Sequence, residues 1–153
     1  MKLAVSSSAR GAPGGGRAEA EEKRVDTDVT APMDVLSPID EYGRAWNEPN
    51  PSRRRDLLKR SLSEDCEVVA PVGVLRGREA VDGEITAWRA AQPGHTALFA
   101  SAIDSHHGWA RFAFAVLDDA GREVARGTDI AQFASDGRLR RVVRFFDAAD
   151  PES

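Results

Sequence analysis

The sequence predicts an α+β domain in which three helices pack on one face of a curved, antiparallel or mixed β-sheet. Two observations predict this arrangement. Before residue 92, apolar residues recur at helical spacing in three stretches, each bounded by proline or glycine. From residue 96 onward, apolar and polar residues alternate in runs separated by turn sequences, which is typical of strands. A curved sheet covered by helices forms a cone-shaped α+β barrel, whose interior can hold an apolar ligand.

The composition is ordinary for a soluble globular protein. The chain has 153 residues, of which 41% are hydrophobic and 30% charged, and this suits one domain with one core. The net charge of −4 argues against nucleic acid or an anionic membrane as a partner. Cys66 is the only cysteine, which excludes an intrachain disulfide and a cysteine-based metal site. We expect a cytoplasmic protein, because no apolar run approaches the ~18 residues of a membrane span and Leu3–Val5 is too short for a signal peptide.

The chain is expected to consist of one domain and two tails. Residues 1–32 are rich in Ser, Gly, Ala and Pro and lack an apolar period, which predicts a disordered tail. The folded domain is expected to span residues 33–148, and residues 149–153 to form a C-terminal tail.

The first helix is predicted from its start and from its apolar face. Ser37 is expected to be the N-cap, with Pro38 in the first helical position. Ile39, Tyr42 and Trp46 then share one face at helical spacing. This helix ends at the Pro49–Pro51 segment.

Two further helices follow. Asn50 can cap the second, at about 51–62, where Arg53–Arg55 are expected to form a solvent-exposed face. The third helix is predicted at about 78–91, and its buried face is expected to carry Val81, Ile85 and Trp88. Five strands are predicted at about 67–70, 96–104, 109–117, 122–134 and 138–146.

One strand carries a carboxylate where burial is expected. Side chains alternate along a strand, so Asp129, Ala131 and Phe133 share one face, and their small or apolar neighbours indicate that this face is buried. A carboxylate is costly to keep in such a place. Asp129 is therefore the first candidate for a functional residue.

Pairing of the last two strands gives Asp129 a partner. If Asp136-Gly137 is a two-residue hairpin loop, Asp129 lies opposite Arg144 on the same face of the sheet. Two interpretations stay open. The residues form a structural cross-strand ion pair, or the arginine keeps Asp129 ionised for a role as a base or as a group that orients a ligand.

Other residues are candidates for the pocket. The inward-facing residues of the strands and helices are expected to line it and to bind the substrate: Trp46, Trp88, Phe112, Phe114, Val116 and Arg144. His107, at a turn, is either a surface residue or a proton carrier at the pocket mouth. Three histidines without helical spacing do not suggest a metal site, and no cofactor is expected.

Several motifs in this order resemble those of the nuclear transport factor two-like superfamily, and the resemblance covers residues 34–147. That superfamily includes SnoaL-like polyketide cyclases, ketosteroid isomerases, scytalone dehydratases and limonene-epoxide hydrolases. The motifs are Tyr42-Gly43-Arg44-Ala45-Trp46-Asn47, Ala70-Pro71-Val72-Gly73, Leu75-Arg76-Gly77-Arg78-Glu79-Ala80, Gly127-Thr128-Asp129, Asp136-Gly137-Arg138 and Phe145-Phe146-Asp147. The resemblance implies the cone-shaped fold, whereas function depends on the site.

The resemblance implies three chemistries, and each matches in part. Tyr42 and Asp129 occupy positions similar to the oxyanion hole of ketosteroid isomerase, but Ala70 stands where that family has its general base. For epoxide hydrolysis, Gly127 and Arg144 replace an expected arginine and aspartate. For the SnoaL-like aldol cyclases, Asp129 matches the acid/base aspartate, while the preceding strand lacks the expected histidine.

The sequence therefore predicts a SnoaL-like protein that binds a small apolar organic molecule in an internal pocket. Asp129 is expected to act as acid/base or polar anchor, with Tyr42 donating a hydrogen bond, in isomerisation, cyclisation or dehydration. The alternative is a non-catalytic ligand-binding or dimerisation module of the same fold. A homodimer is expected through an outer sheet patch of Ile130, Val143 and Phe145, and a monomeric mass by light scattering would contradict it.

Overall fold

The computed structural model describes residues 34–148 and the backbone of residues 5–7. Within this part of the chain, three helices and eight strands occur in the order β1 (Val5–Ser7), α1 (Leu36–Asn47), α2 (Pro51–Ser61), β2 (Leu62–Ala70), β3 (Gly73–Arg76), α3 (Arg78–Ala91), β4 (Thr96–Phe99), β5 (Ile103–His106), β6 (Trp109–Leu117), β7 (Glu123–Phe133) and β8 (Leu139–Phe146). The predicted α+β class is confirmed. None of the described helices is long and apolar enough to cross a membrane.

The strands form one mixed sheet in the order β1-β5-β6-β7-β8-β2-β3, and β4 also pairs with β6. β6, β7 and β8 are antiparallel neighbours, whereas β2 runs parallel to β8 and β1 runs parallel to β5. The sheet is open, since its two ends among the described strands, β1 and β3, do not pair with each other. The helices cover one face and enclose the core against it.

The core is built from the apolar faces that helical and strand spacing predict. Ile39, Tyr42 and Trp46 of α1 are buried, as are Val81 and Ile85 of α3. They pack in one cluster with inward-facing residues of the sheet, namely Val68, Phe112, Ala131, Phe133, Leu139 and Val142. This helix-on-sheet core holds the inner face of β7, with Asp129, away from water.

The start of α1 differs from the prediction. The helix begins at Leu36, and the side chain of Asp34 accepts hydrogen bonds from the backbone N–H groups of Leu36 (3.1 Å) and Ser37 (3.2 Å). The predicted N-cap Ser37 is therefore wrong, because a carboxylate earlier in the chain satisfies these free donors. The prediction for α2 is confirmed, since Asn50 Oδ1 accepts from the Arg53 N–H at 3.0 Å.

One arginine of the predicted solvent-exposed face of α2 is buried. Arg54 is only 4% exposed. It donates to Asp82 Oδ1 at 2.6 Å and to Thr86 Oγ1 at 2.9 Å, both on α3, and to the Glu48 carbonyl oxygen at 2.8 Å. The prediction was wrong for Arg54 because its partners lie in distant segments that a run of three arginines does not reveal.

The strands also differ from the prediction. β2 begins at Leu62, earlier than predicted, and β3 is not among the predicted strands. The strand expected at 96–104 is divided into β4 and β5. Both parts pair with β6, along its two halves. The predicted N-terminal tail lies outside the described residues except for β1, which pairs with β5, and the predicted tail 149–153 lies outside them entirely.

The outer sheet face carries the apolar residues predicted for dimerisation. Ile130 and Val143 are opposite each other on β7 and β8, and Phe145 is 58% exposed. The homodimer through this face stays a prediction.

Candidate functional site

The site begins with an ion pair on the inner face of β7 and β8. Arg144 Nε donates to Asp129 Oδ1 and Arg144 Nη2 donates to Asp129 Oδ2, both at 2.8 Å. The side chain of Asp129 is 1% exposed and that of Arg144 is 14% exposed. The pair is thus bidentate and largely withdrawn from water, the geometry in which a guanidinium and a carboxylate interact most strongly.

The predicted pairing of these residues is confirmed although the predicted loop is wrong. Asp129 lies opposite Arg144, and this register holds as far as Gln132 and Arg141. Near the turn, Phe133 instead pairs with Leu139, and the Ala134 N–H donates to the Arg138 carbonyl oxygen. An irregularity in β8 compensates for the longer loop, as β-bulges do.

Two aromatic rings lie close to the guanidinium. The centre of the Arg144 guanidinium is 4.1 Å from the Phe114 ring centroid and 5.2 Å from that of Trp46. These distances allow cation–π attraction, which is stronger where water is excluded. Burial acts to lower the pKa of Arg144, but the hydrogen bonds and charge of Asp129 outweigh it and raise that pKa above its ordinary value.

Phe114 can lie below the guanidinium because of a glycine on the next strand. Gly127 is paired with Phe114 across β6 and β7. A Cβ added to Gly127 would lie 2.7 Å from Phe114 Cζ and would also overlap the carbonyl oxygen of Phe145. The absent side chain therefore makes room for the ring on which Arg144 lies.

Arg144 faces a cavity of about 560 Å³. The walls are mainly apolar and come from α1, α3, the β2–β3 hairpin and other strands of the sheet: Trp46, Trp88, Val68, Ala70, Pro71, Val72, Leu75, Ala97, Val116, Val124, Ala125 and Phe146. Four polar side chains also line it: Arg144, Glu84, Gln92 and His95. A largely apolar cavity of this size with a few polar groups is typical of a site for a small organic ligand.

Asp129 is absent from that lining. It borders a separate space of about 30 Å³, together with Tyr42, Trp46, Phe112 and Arg144. Arg144 borders both spaces, so it stands between the carboxylate and the larger cavity. The two residues predicted as catalytic, Asp129 and Tyr42, are therefore together but lie apart from the space where a ligand fits.

The structure distributes the other predicted pocket residues as follows. Trp46, Trp88, Val116 and Arg144 line the large cavity, whereas Phe112 and Phe114 line the small one. His107 lines neither, because it is in an exposed turn with a φ of 51°. Ala70, at the position of the isomerase base, does border the large cavity.

Sequence reasoning missed three polar residues of the cavity wall. Glu84 is on the side of α3 next to its buried face, and Gln92 and His95 are in the turn that ends this helix. Their distance along the chain from Arg144 gave no sign that they share a cavity with it. Among the described residues, no group of three His, Cys, Asp or Glu side chains is placed to hold a metal ion.

Tyr42 is 2% exposed, and its hydroxyl has no hydrogen-bond partner among the described residues. Burial disfavours the charged phenolate and, although the charge of Arg144 opposes this, raises the pKa of Tyr42 to about 12. The hydroxyl therefore keeps its proton at neutral pH and can act as a donor but not as a base.

Titration of Tyr42 can be followed directly because the chain has one tyrosine. We expect phenolate absorbance of the folded protein to rise with a midpoint near pH 12, against about 10 in denaturant. Between these values the unfolded chain loses a proton that the folded chain keeps, so folding stability falls as pH rises, by on the order of 2 kcal/mol. Tyr42→Phe should reduce this alkaline loss in urea unfolding. A folded-state midpoint near 10 would contradict the burial of the hydroxyl.

The fold and part of the sequence match known proteins. No protein-family model and no curated protein matches the chain, but solved structures do. A protein from Agrobacterium tumefaciens, named a candidate isomerase of the SnoaL-like family, is 32% identical with a TM-score of 0.70, over 74% of this chain and 97% of that one.

Two more distant structures share the fold. A nuclear transport factor two-like protein of unknown function from Exiguobacterium is 19% identical (TM-score 0.57; 73% of this chain, 99% of that one). A protein from Sinorhizobium meliloti, named a candidate polyketide cyclase, is also 19% identical (TM-score 0.58; 74% of this chain, 97% of that one). These two structures share the cone-shaped fold of the nuclear transport factor two-like superfamily. The identity to the Agrobacterium protein, together with the motifs of residues 34–147, shows that the chain belongs to the SnoaL-like family of this superfamily.

Proposed function

We propose that this protein binds a small, largely apolar carbonyl compound in the 560 Å³ cavity, with the carbonyl oxygen on Arg144, and transfers a proton at the neighbouring carbon. The reaction class is that of isomerisation, cyclisation or dehydration without a cofactor. One observation carries the proposal: a guanidinium fixed by two hydrogen bonds to Asp129 is presented to an otherwise mainly apolar cavity.

Arg144, rather than Asp129, is the group that contacts the ligand in this proposal. Both carboxylate oxygens of Asp129 already accept from Arg144, and Asp129 does not border the cavity. These two hydrogen bonds use Nε and Nη2, which leaves Nη1 as the guanidinium nitrogen outside the pair. Asp129 thus holds the arginine in place, which is the structural ion-pair role that the sequence left open, and in this proposal it is neither the acid/base nor the group that contacts the ligand.

The charge of the pair favours a neutral acceptor. Asp129 and Arg144 together carry no net charge, so a second carboxylate would bring like charges together beside the buried Asp129. A ketone or aldehyde oxygen accepts a hydrogen bond without that cost. When the neighbouring carbon loses a proton, negative charge develops on this oxygen, and a fixed guanidinium stabilises it more than it stabilises the ground state.

The Agrobacterium relative supports the reaction class, since it is named a candidate isomerase. A second candidate function is ligand binding without catalysis. Ala70 favours it, because this residue borders the cavity where the isomerases have their base. The two functions differ in whether a bound ketone exchanges its acidic protons.

We expect β-tetralone, an apolar ketone, to bind at least tenfold more tightly than the hydrocarbon tetralin of similar shape. The expected difference in binding free energy is the contribution of one hydrogen bond to a charged group, about 1.5–3 kcal/mol. Isothermal titration calorimetry measures both affinities. In the double variant Asp129→Asn/Arg144→Gln, which removes both charges at once, the preference for the ketone should disappear.

Arg111→Gln is the matched control, since Arg111 is an exposed arginine of the same sheet and does not border the cavity. It should bind both compounds as the wild type does. Equal affinity of the wild-type protein for β-tetralone and tetralin would contradict the role of Arg144 and favour a purely apolar binding module.

A further inference from the structure

We infer that His95, in the turn between α3 and β4, is the residue that takes and returns the proton in the cavity. This inference rests on the proposed function, because it concerns a ketone bound at Arg144. His95 was counted among the histidines of the sequence but was not a candidate for the pocket, and it borders the 560 Å³ cavity that Arg144 also borders.

The backbone of His95 is held in place. Its N–H donates to the Gln92 carbonyl oxygen at 3.1 Å, which closes the turn after α3. Gly94, the residue before His95, has a φ of 83°. It is packed so closely against the loop between β6 and β7 that an added Cβ would be 2.8 Å from Asp119 Cβ. The turn is therefore anchored both to the end of α3 and to the loop between β6 and β7.

One ring nitrogen of His95, by contrast, is unpaired. Nδ1 is buried and has no hydrogen-bond partner among the described residues. A buried polar atom without a partner is costly, and native proteins keep few of them. A bound ligand can supply the hydrogen-bond partner that this nitrogen lacks, which suits a group that must meet a ligand atom.

No other side chain of the cavity is as well suited. Arg144 has no lone pair with which to accept a proton. Asp129 and Tyr42 do not border the large cavity, and the Asp129 oxygens are both engaged. Glu84 is the one rival, a carboxylate from α3 on the same wall. An imidazole both accepts and donates a proton near neutral pH, so it can serve both halves of a proton transfer.

The step balances without a further reactant. His95 removes a proton from the carbon next to the carbonyl group, the C–H electron pair forms a C=C bond, and the C=O π pair moves to the oxygen at Arg144. The imidazolium then returns a proton to the same carbon or, in an unsaturated ketone, to the far end of the conjugated system, while the C=O bond forms again. In D2O the imidazolium exchanges its proton for a deuteron, so the ketone gains deuterium.

The test measures deuterium uptake by β-tetralone in D2O, followed by NMR. The wild-type protein should speed exchange of the acidic protons above the rate in buffer. His95→Gln should lower the protein-dependent rate by about 100-fold or more, the usual contribution of general base catalysis. It should leave the calorimetric affinity for β-tetralone within about twofold, because Arg144 provides the anchor. His95→Asn is a second variant should the first unfold, which circular dichroism shows.

His106→Gln is the matched control, because His106 is an exposed histidine that does not border this cavity, and it should exchange within about twofold of the wild type. Glu84→Gln tests the rival carboxylate and should retain more exchange than His95→Gln. An exchange rate in His95→Gln equal to that of the wild type overturns the inference, as does loss of exchange in Glu84→Gln alone. If β-tetralone binds but the wild-type protein does not speed exchange, the inference about His95 is wrong, whereas ligand binding in the cavity is still supported. If β-tetralone does not bind, the proposed function fails, and the inference fails with it.

Discussion

Asp129→Asn is expected to lower the free energy of unfolding by about 3–5 kcal/mol, the cost of leaving a buried charge without its partner. The variant keeps the shape of the side chain but removes the charge that faces Arg144 at 2.8 Å. The guanidinium then remains beside the Phe114 and Trp46 rings without a counter-charge. Urea unfolding, followed by tryptophan fluorescence, measures the loss.

A matched control lies on the same strand. Glu123 pairs with Arg126 at 2.7 Å on the exposed surface, so Glu123→Gln removes a carboxylate that water and salt already screen. We expect no measurable change in its stability. The double variant Asp129→Asn/Arg144→Gln should recover part of the loss, because neither charge is left alone. An Asp129→Asn protein as stable as the wild type would show that Arg144 does not depend on this carboxylate.

Gly127→Ala is expected to lower the free energy of unfolding by about 1–3 kcal/mol or more, as overpacking of a core does. The new methyl group would meet the Phe114 ring and the Phe145 carbonyl oxygen, so the ring or the strand pairing must shift. Because Phe114 supports Arg144, ketone affinity should fall as well. Thermal unfolding and calorimetry with β-tetralone measure the two effects.

Gly83→Ala is the control for this substitution. Gly83 is within α3, and a Cβ added there would meet no atom within 4 Å. Alanine favours the helix over glycine, so stability should rise by about 0.5–1 kcal/mol. Equal effects of the two substitutions would contradict the close contact between Gly127 and Phe114.

Asp129, Gly127, Phe114 and Arg144 form one structural unit. Asp129 fixes the guanidinium, Gly127 makes room for the Phe114 ring, and Arg144 borders the cavity. A charge that is fixed in this way is preorganised, which is how such groups contribute to catalysis. In the proposed function, the contact between Arg144 and the ligand depends on residues that the ligand itself does not touch.

Much of the candidate site was predictable because it depends on short-range periodicity. Alternation along β7 places Asp129 on the buried face, and antiparallel pairing with β8 places it opposite Arg144. The pairing followed from hairpin geometry even though the loop was longer than expected, because hydrophobic patterning limits the register of a half-buried sheet. Helical spacing in the same way placed Trp46 and Trp88 toward the interior.

The sequence by itself therefore determined the fold class, the helix faces and the Asp129–Arg144 pair, since each follows from contacts at fixed spacing within an element or across one hairpin. Only the tertiary structure decided that Arg54 is buried, that Asp129 lies apart from the large cavity, and that His95 and Glu84 border it. These facts depend on how α3 and its following turn pack over the sheet. Such packing joins residues far apart in the chain, and no local period encodes it.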